Sequence, residues 1–273
     1  MEIIRINDPA DPRIAGFTNI RERDLRRAHG RFIAEGTVVL SMLAAAHNRG
    51  HGFEAEAILV LENRLDGIGD ILVQFPSGVP VYVADKPVMN AIAGFDIHRG
   101  VLALGRRTQS NDFPGLLQSL PETALVVVAA GIGNHDNVGS IFRNAAAFGA
   151  DAVLLDETCC DPLYRKALRV SVGAVLKVPY ALGGTTAEIS AALRDRDFAV
   201  WGLSPSGDAD IREIAPSARM ALLAGTEGEG LPQPILAAVQ TARIAQAPGL
   251  DSLNAATATG IALFSIASQM GRL

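Results

Sequence analysis

From residue 125 onward, short apolar runs alternate with stretches of helical pattern. The first run is LVVVAAG at 125–131, and others follow at 151–156, 198–204 and 220–224. Strands that alternate with helices over short loops form a parallel sheet covered on both faces. Ligands of such sheets bind at the carboxyl ends of the strands. The pattern therefore predicts an α/β domain whose functional residues directly follow its strands.

The front of the sequence predicts a second, smaller α/β domain. A helical pattern at 37–50 is followed by strand patterns at 54–63 and, further along, by an alternation of strand, helix and strand. Residues 108–120 are rich in turn-forming types and lack apolar periodicity, which is typical of a linker. We therefore predict domains at 1–107 and 121–273, joined by that linker.

Composition excludes several classes of protein. A chain with 49% hydrophobic and 19% charged residues is typical of an ordered globular protein. No apolar run approaches the roughly 18 residues that span a bilayer, and the first residues lack an apolar signal core, so we expect a cytoplasmic protein with no membrane partner. Cys159 and Cys160 are adjacent and have no His or Cys at metal-ligand spacing, so no metal site is expected.

The net charge of −5 argues against broad, non-specific binding to nucleic acid, but positive charge is clustered near the front. Most of the cluster lies on a predicted helix over RERDLRRAHG, at residues 21–30, and Arg31 directly follows it. The cluster consists of Arg21, Arg23, Arg26, Arg27 and Arg31. One interpretation is a solvated helix face balanced by neighbouring acids. The other is a patch that contacts RNA phosphates.

A glycine-rich loop follows the strand that ends at Ala224. The sequence GTEGEG at 225–230 has three glycines in six residues, which lets the backbone turn sharply and lets a ligand approach it closely. It has no Lys-Ser/Thr pair, and its acids would repel phosphate, so it is not a phosphate-binding loop. The sequence GIGNHD at 131–136 also lacks the pattern of a dinucleotide-binding loop, because Asp136 stands where a small residue is needed.

Asn137 and Arg143 lie on one predicted helix, six residues apart. If Asn137 caps the helix, Arg143 lies on the second turn and reaches back towards the capped end. The plain alternative is an ordinary N-cap and a surface arginine. Because the flank of Arg143 is apolar, an anionic partner is expected for it, and Glu227 is a candidate for that partner or for holding a substrate hydroxyl.

The sequence DSLNAATATG predicts the start of a C-terminal helix. Asp251 and Ser252 are good N-cap types, which places Asn254 in the first turn. Side chains and free N–H groups at a helix start face any ligand that lies there.

Together these segments resemble the SpoU family of ribose 2′-O-methyltransferases, within the SPOUT superfamily. The pattern N-x-G-x-x-x-R stands at 137–143, G-x-E-G-x-G-L at 225–231, and Ile244 precedes S-L-N at 252–254. The connecting segment RVSVGA at 169–174 is similar as well. At the front, RFIAEGTVVL resembles the start of a small domain similar to ribosomal protein L30e, found in many family members.

The resemblance implies an α/β fold with an N-terminal L30e-like RNA-binding domain and a C-terminal domain tied in a deep trefoil knot, a rare exception to unknotted chains. It implies S-adenosylmethionine as cofactor, structured RNA (ribosomal or transfer) as substrate, and a homodimer formed through the knotted domain, whose sites borrow residues from the partner. The residues implied for cofactor binding are Leu223, Ala224, Gly225, Gly230, Ile244, Ser252 and Leu253. Those implied for catalysis are Asn137, Arg143, Glu227 and Asn254.

The chain departs from the family pattern after Ile244. Ala245 and Gln246 stand where Pro-Met is usual, and Ala256 stands where Ser is common. These departures bear on the cofactor loop, and so on cofactor affinity and geometry. Separately, the sequence leaves three rival functions to weigh. They are a non-catalytic RNA-binding relative, a methyltransferase that acts on an RNA base, and an enzyme of small nucleotides that needs no RNA. We predict an active RNA 2′-O-methyltransferase.

Overall fold

The computed structural model describes residues 2–17, 30–93, 99–249 and 252–273. The predicted helix at 21–30 lies almost wholly outside these ranges, and with it Arg21, Arg23, Arg26 and Arg27. The chain divides into two compact units. The first comprises Met1–Ser110 and Leu163–Lys177, and the second comprises Asn111–Pro162 and Val178–Leu273.

The first unit contains a five-stranded mixed sheet. Its order is β1-β4-β3-β5-β2, with β1, β3 and β4 parallel and β5 antiparallel to both of its neighbours. Apolar side chains such as Ile6, Leu59 and Leu104 form its core. Its elements up to Ser110 are β1 (Ile3–Ile6), β2 (Arg31–Glu35), α1 (Thr37–Arg49), β3 (Phe53–Leu61), α2 (Gly69–Leu72), β4 (Val81–Ala84), α3 (Lys86–Ala93) and β5 (Val101–Arg107).

The remaining elements begin at Phe113. They are α4 (Phe113–Gln118), β6 (Ala124–Ala129), α5 (His135–Ala147), β7 (Ala152–Leu155), α6 (Arg165–Val170), β8 (Tyr180–Leu182), α7 (Thr186–Arg194), β9 (Ala199–Leu203), β10 (Ala209–Asp210), β11 (Arg219–Ala224), α8 (Gln233–Leu236), β12 (Gln240–Arg243) and α9 (Ala255–Gln269). Among the described residues, no helix combines the length and apolar character needed to cross a membrane.

The second unit contains a seven-stranded sheet in the order β10-β12-β9-β11-β6-β7-β8, and every pair within it is parallel. All residues of β6 and β7 are buried, because helices cover both faces and each strand reads as an apolar run. The prediction of an α/β fold with a mostly parallel sheet is confirmed. Strands β9, β11 and β6 lie side by side, so their carboxyl ends meet at one edge.

The C-terminal part of the chain takes an indirect course. After β11 it passes to the far side of β9, where β12 pairs with both β9 and β10. It then returns, and α9 packs against α5 and β11. This return brings the start of α9 to the edge at which β11 and β9 end.

Three details differ from the sequence predictions. The predicted linker at 108–120 contains helix α4, which Asp112 caps through the Gly115 N–H (2.7 Å) and which buries Leu116 and Leu117. The last strand before the C-terminal helix is Gln240–Arg243, three residues earlier than its predicted start.

The third difference is the place of residues 163–177, which group with the first unit although the predicted second domain included them. Helix α6 packs against β2, and the buried Glu35 carboxylate lies 3.9 Å from Arg165 and 3.6 Å from Arg169. Since a buried carboxylate needs cationic neighbours, this charge pattern ties the segment to β2.

Candidate functional site

A cavity of about 270 Å³ opens at the carboxyl edge of the parallel sheet in the second unit. The loops that follow β9, β11 and β12 enclose it, together with the start of α9. The lining residues are Leu203, Ser204, Pro205, Ser206, Ala224, Gly225, Thr226, Glu227, Gly228, Glu229, Gly230, Leu231, Gln233, Leu236, Ala242, Ile244, Gln246, Ser252, Leu253, Ala255 and Ala258. Its position is the one that the strand pattern predicts for a ligand site.

The glycine-rich loop folds back on itself to form one wall. Thr226 and Gly230 exchange backbone hydrogen bonds of 3.3 and 3.1 Å. A Cβ atom on Gly225 would lie 2.2 Å from the carbonyl carbon of Gly230, so a side chain cannot be placed there. Gly228 and Gly230 have φ angles of +93° and +69°, which side-chain-bearing residues rarely adopt. The glycines are therefore required by the shape of the loop.

Glu227 is held at the mouth of the cavity by two amides. The Asn137 amide nitrogen donates to Glu227 Oε1 at 2.8 Å, and the Asn254 amide nitrogen donates to the same oxygen. Asn254 also donates to Asn137 Oδ1 at 2.9 Å. Three residues predicted to be catalytic thus form one network. Asn137 lies 90 residues from Glu227 and 117 residues from Asn254 along the sequence. Glu227 Oε2 receives no hydrogen bond from the described residues and keeps its acceptor capacity.

Asn254 is fixed by the helix that it begins. Its side-chain oxygen accepts hydrogen bonds from the backbone N–H groups of Ala256 (3.0 Å) and Thr257 (3.1 Å), so Asn254 is the N-cap of α9. This corrects the prediction that Ser252 or its neighbour caps the helix and that Asn254 lies in the first turn. Because the oxygen faces the helix, the amide nitrogen must face Glu227.

Asn137, in contrast to Asn254, is not a helix cap. Asn134 caps α5 through the Asp136 N–H (2.8 Å), and Asn137 lies in the first turn with only 6% of its surface exposed. Side chains in a first helical turn point back towards the helix start, which aims the Asn137 amide at the Glu227 loop. Further along α5, Asn144 donates to the Ala256 carbonyl (2.8 Å) and holds the two helices together.

Arg143 lies on the exposed surface of α5. Within the described residues, the hydrogen bonds to Glu227 come from the two asparagines and not from Arg143. Of the two roles that the sequence left open for Glu227, the described residues show no pairing with Arg143, because the guanidinium is exposed although its flank is buried. The holding of a substrate hydroxyl stays a prediction. Arg143 is also absent from the residues that line the cavity.

The buried carboxylate of Asp156 supports the loop that carries Glu227. Asp156 accepts hydrogen bonds from the Gly131 N–H (3.1 Å), Thr158 (2.8 Å) and Thr186 (2.7 Å). Burial raises the pKa of Asp156, but these hydrogen bonds outweigh burial and the net pKa is lowered. A Cβ on Gly131 would lie 2.9 Å from the Thr226 methyl group. Asp156 thus fixes a loop that packs directly against the residue preceding Glu227.

Six of the seven residues predicted to bind the cofactor line the cavity, namely Ala224, Gly225, Gly230, Ile244, Ser252 and Leu253. Leu223 does not, because its side chain is fully buried in the core beneath the sheet edge. Sequence reasoning missed Ser204, Pro205 and Ser206, which form another wall. The sequence pattern could have indicated them, because they are turn-forming residues that follow an apolar strand of a parallel sheet.

The charge of the cavity selects against anionic ligands. Glu227 and Glu229 both line it, and no Lys, Arg or His occurs among its described lining residues. Nucleoside phosphates would meet two carboxylates without a counter-charge. The cavity therefore favours a ligand that carries positive charge or none.

Arg31 is the one member of the predicted phosphate-contacting patch that the structure describes. Its Nε lies 2.7 Å from Glu56 Oε2, and Arg106 lies 3.2 Å from the other oxygen of Glu56. Arg31 therefore belongs to an ion-pair cluster on the sheet of the first unit. The other four arginines lie outside the described residues.

A parallel α/β sheet whose carboxyl edge carries a glycine-lined cavity, a carboxylate and two amides defines a ligand-binding domain of the α/β class. The sequence profile of the SpoU rRNA Methylase family matches residues 124–264, which span this sheet and all three motif segments. That match covers more than half of the chain. The chain belongs to the SpoU rRNA Methylase family.

Individual relatives agree over most of the length. An uncharacterized tRNA/rRNA methyltransferase of Mycobacterium bovis is 36% identical over 97% of this chain and 91% of its own length. The 23S rRNA (guanosine-2′-O-)-methyltransferase RlmB of Yersinia pestis is 30% identical over 71% of this chain and 80% of its own. The AdoMet-bound rRNA methyltransferase of Sinorhizobium meliloti has the same fold, with a TM-score of 0.81, 23% identity and 98% coverage of both chains.

Proposed function

We propose that this protein transfers the methyl group of S-adenosylmethionine to a ribose 2′-hydroxyl of structured RNA. Family membership supports an RNA methyltransferase, and the similarity to the Yersinia RlmB supports the 2′-hydroxyl as the acceptor. The observation that carries the proposal is the Glu227–Asn137–Asn254 network beside the cavity. An intact network favours an active enzyme over a non-catalytic RNA-binding relative.

The cavity fits the cofactor in two respects. Its carboxylates complement a positively charged sulfonium, and its glycine loop permits close contact with backbone groups. The residues that would hold the cofactor are the six predicted ones that line the cavity, without the side chain of Leu223. When bound, the cofactor supplies an electrophilic methyl group.

The network would orient the acceptor hydroxyl. Glu227 has one oxygen engaged by the two asparagines and one left to accept a hydrogen bond from the ribose. Because the asparagines fix the carboxylate, the hydroxyl oxygen can be held in line with the methyl group, and positioning supplies a large part of the rate. The same carboxylate would take up the hydroxyl proton as the oxygen gains the methyl group, so that the proton has an acceptor.

Arg143 would act on the RNA rather than on the cofactor. It is exposed, and an arginine side chain is not deprotonated in ordinary protein surroundings. We therefore assign to Arg143 the electrostatic stabilisation of the developing alkoxide or of a neighbouring phosphate, rather than the role of base. Arg143 would thus stabilise charge, and Glu227 would orient the hydroxyl.

The proposal includes a homodimer formed through the second unit. Phe264 and Ile261 on α9 are 56% and 42% exposed, and Phe148 packs against Phe264 with ring centroids 5.8 Å apart. This apolar face, which we define as Phe148, Ile261 and Phe264, lies beside Asn144 and Thr257. Contiguous exposed apolar surface is typical of a protein interface. A second copy of the chain is the occupant that the family resemblance implies.

Two features of the fold belong to the proposal as well. The passage of the chain from β11 across β9 to β12, and its return to α9, supports a trefoil knot in the second unit. The mixed sheet of the first unit supports an L30e-like domain that selects the RNA, with the arginine cluster at residues 21–31 as a phosphate-contacting patch. With a net charge of −5, selection would depend on local patches and on RNA shape. The reaction would take place in the cytoplasm.

The experiment that tests the function measures methyl transfer and cofactor binding on the same proteins. The purified protein is incubated with labelled S-adenosylmethionine and with ribosomal or transfer RNA, and nucleosides are analysed by mass spectrometry for 2′-O-methylation. Arg143→Ala should abolish transfer and change the calorimetric affinity for S-adenosylhomocysteine by less than about twofold. Arg194→Ala, an exposed arginine of the same unit, serves as the matched control and should keep both.

Three results contradict the proposal. A methyl group found on a base would make the protein a base methyltransferase. Turnover of a small nucleotide without RNA would make it a different kind of enzyme. Equal loss of transfer and cofactor affinity in Arg143→Ala would place Arg143 in the cofactor site and refute its assigned role.

A further inference from the structure

One wall of the cavity is a β-turn formed by residues 204–207. Ser204, Pro205 and Ser206 line the cavity, and the Gly207 N–H donates to the Ser204 carbonyl at 3.0 Å, which closes the turn. Proline at the second position favours such a turn. The hydroxyl groups of Ser204 and Ser206 lie 3.1 Å apart. These contacts shape the turn, and contacts from outside it must fix its position relative to the other walls.

Strand β12 lies directly against this turn. The Ser204 N–H donates to the Ala242 carbonyl at 3.0 Å. A Cβ on Gly207 would lie 2.4 Å from the Ala242 carbonyl carbon, so the two backbones are in contact. Just after the turn, the Asp208 N–H donates to Thr241 Oγ1 at 3.0 Å, and that hydroxyl donates to Asp208 Oδ2 at 2.9 Å. The turn and the residue that follows it are thus attached to one strand.

Arg243, the last residue of β12, adds a charged contact. Its Nη1 donates to the Gly207 carbonyl at 2.8 Å and to the Asp208 carbonyl at 2.7 Å. Hydrogen bonds from a guanidinium are about twice as strong as those between neutral groups. Arg243 is not among the described residues that line the cavity, whereas its neighbour Ile244 is. The Arg243 side chain therefore links two walls from outside the cavity, namely the turn and the segment that begins at Ile244.

We propose that Arg243 is a positioning residue for the cofactor, because it holds the turn at residues 204–207 at the distance from Ile244 that S-adenosylmethionine requires. This inference rests on the proposed function, since it takes S-adenosylmethionine as the occupant of the cavity. Arg243 acts through the wall and does not touch the cofactor. Its loss should therefore weaken cofactor binding, whereas Glu227, which Asn137 and Asn254 hold, should keep its geometry.

The test is calorimetric titration of S-adenosylhomocysteine at a temperature at which every protein is fully folded. The ligand is titrated into the unaltered protein, Arg243→Ala, Arg243→Lys and Arg194→Ala, and the melting temperature of each is measured without ligand. Arg194→Ala is the matched control. The Arg194 Nη1 also donates to a backbone carbonyl of the second unit, that of Ala238, at 2.8 Å, and neither residue is among those that line the cavity.

Arg243→Ala should bind S-adenosylhomocysteine about tenfold more weakly than the unaltered protein, because the turn loses its charged contact with β12. Both contacts of Arg243 come from one nitrogen, so the ammonium of Arg243→Lys can replace it, and affinity should return to within about threefold. Arg194→Ala should bind the ligand unchanged, even where its melting temperature falls as far. In methyl transfer to ribosomal RNA, Arg243→Ala should raise the KM for S-adenosylmethionine and keep kcat at saturating cofactor.

Equal affinity of Arg243→Ala and the unaltered protein overturns the inference and leaves the proposed function intact. Equal weakening in Arg194→Ala, at a matched loss of melting temperature, also overturns it, because the effect would then come from general destabilisation. If Arg243→Ala does not fold, Arg243→Gln takes its place, since its donor is neutral and shorter in reach; affinity equal to that of Arg243→Lys would then overturn the inference. Failure of the unaltered protein to bind S-adenosylhomocysteine overturns both the inference and the assignment of the cofactor.

Discussion

Replacement of Gly225 by alanine tests whether the shape of the glycine loop creates the cavity. The new Cβ would lie 2.2 Å from the carbonyl carbon of Gly230 and 2.4 Å from the Leu231 nitrogen, whereas ordinary contacts begin at 3.4 Å. Both neighbours are backbone atoms, so one side of the loop must move by roughly 1 Å. That movement breaks the two hydrogen bonds between Thr226 and Gly230. At about 1 kcal/mol for each hydrogen bond, with about 1–3 kcal/mol of overpacking, the loss is about 3–5 kcal/mol.

The assay combines urea unfolding with calorimetric titration of S-adenosylhomocysteine. Gly225→Ala should lower the free energy of unfolding by about 3–5 kcal/mol. It should also weaken binding at least tenfold, because the displaced loop carries Glu227 and lines the cavity. Gly228→Ala is the matched control in the same loop. Nothing lies within 4 Å of a Cβ there, so it should cost only the strain of its φ of +93°, about 1 kcal/mol. If the two variants behave alike in both assays, steric closure of the loop is refuted.

Asp156→Asn should lower the free energy of unfolding by about 2 kcal/mol at pH 7, through weaker hydrogen bonds to a neutral acceptor. Because the pKa of Asp156 is lowered by folding, this difference should be full above the ordinary pKa of about 3.9 and should shrink as the pH falls below it; a constant difference in urea unfolding from pH 7 to pH 2 would contradict the assignment. Burial raises the pKa of Cys159 to about 12, so this thiol should not react at pH 8 in the folded protein. In a titration with a thiol reagent at pH 8, at most one cysteine per chain, Cys160, should react rapidly, and Cys159 should react only after denaturation. Phe264→Asp should convert a dimer to a monomer in sedimentation velocity, whereas Val73→Asp in the first unit should not; an unchanged dimer in the Phe264 variant rules out this face as the interface.

The parallel sheet could be predicted because its chemistry is local. Buried strands such as β6 and β7 must be apolar along their whole length, and the loops that follow them must turn, so composition alone marks both. The grouping of Asn137, Glu227 and Asn254 followed from the same logic, since each stands next to the carboxyl edge. The sequence motifs predicted this part of the site residue by residue.

The helix starts could not be predicted to the residue. Asn134 and Asn137 are both good caps, as are Ser252 and Asn254, and the choice depends on which side chain reaches the first free N–H groups. That geometry is set by packing of the helices against the sheet. The choice has consequences for the site, because the asparagine that does not cap α5 is the one that holds Glu227.

The exposure of Arg143 and the position of residues 163–177 were also beyond reach of the sequence. A guanidinium at the edge of an apolar helix face can be buried or exposed with little change in the pattern around it. Helix α6 carries no signal that separates it from the domain in which the sequence embeds it. Its contact with β2 depends on Glu35, more than 120 residues earlier, and long-range pairs of this kind are set by the fold.

Asn254 has one further consequence, for protein synthesis. Its oxygen starts the last helix and its nitrogen holds Glu227, so the same side chain is needed for the folding of α9 and for the assembly of the site. While residues 254–269 are still inside the ribosome, the nascent chain already contains the other strands and loops of the cavity. It lacks the hydrogen bond between Asn254 and Glu227. The site is therefore complete only after α9 has left the ribosome and docked against α5.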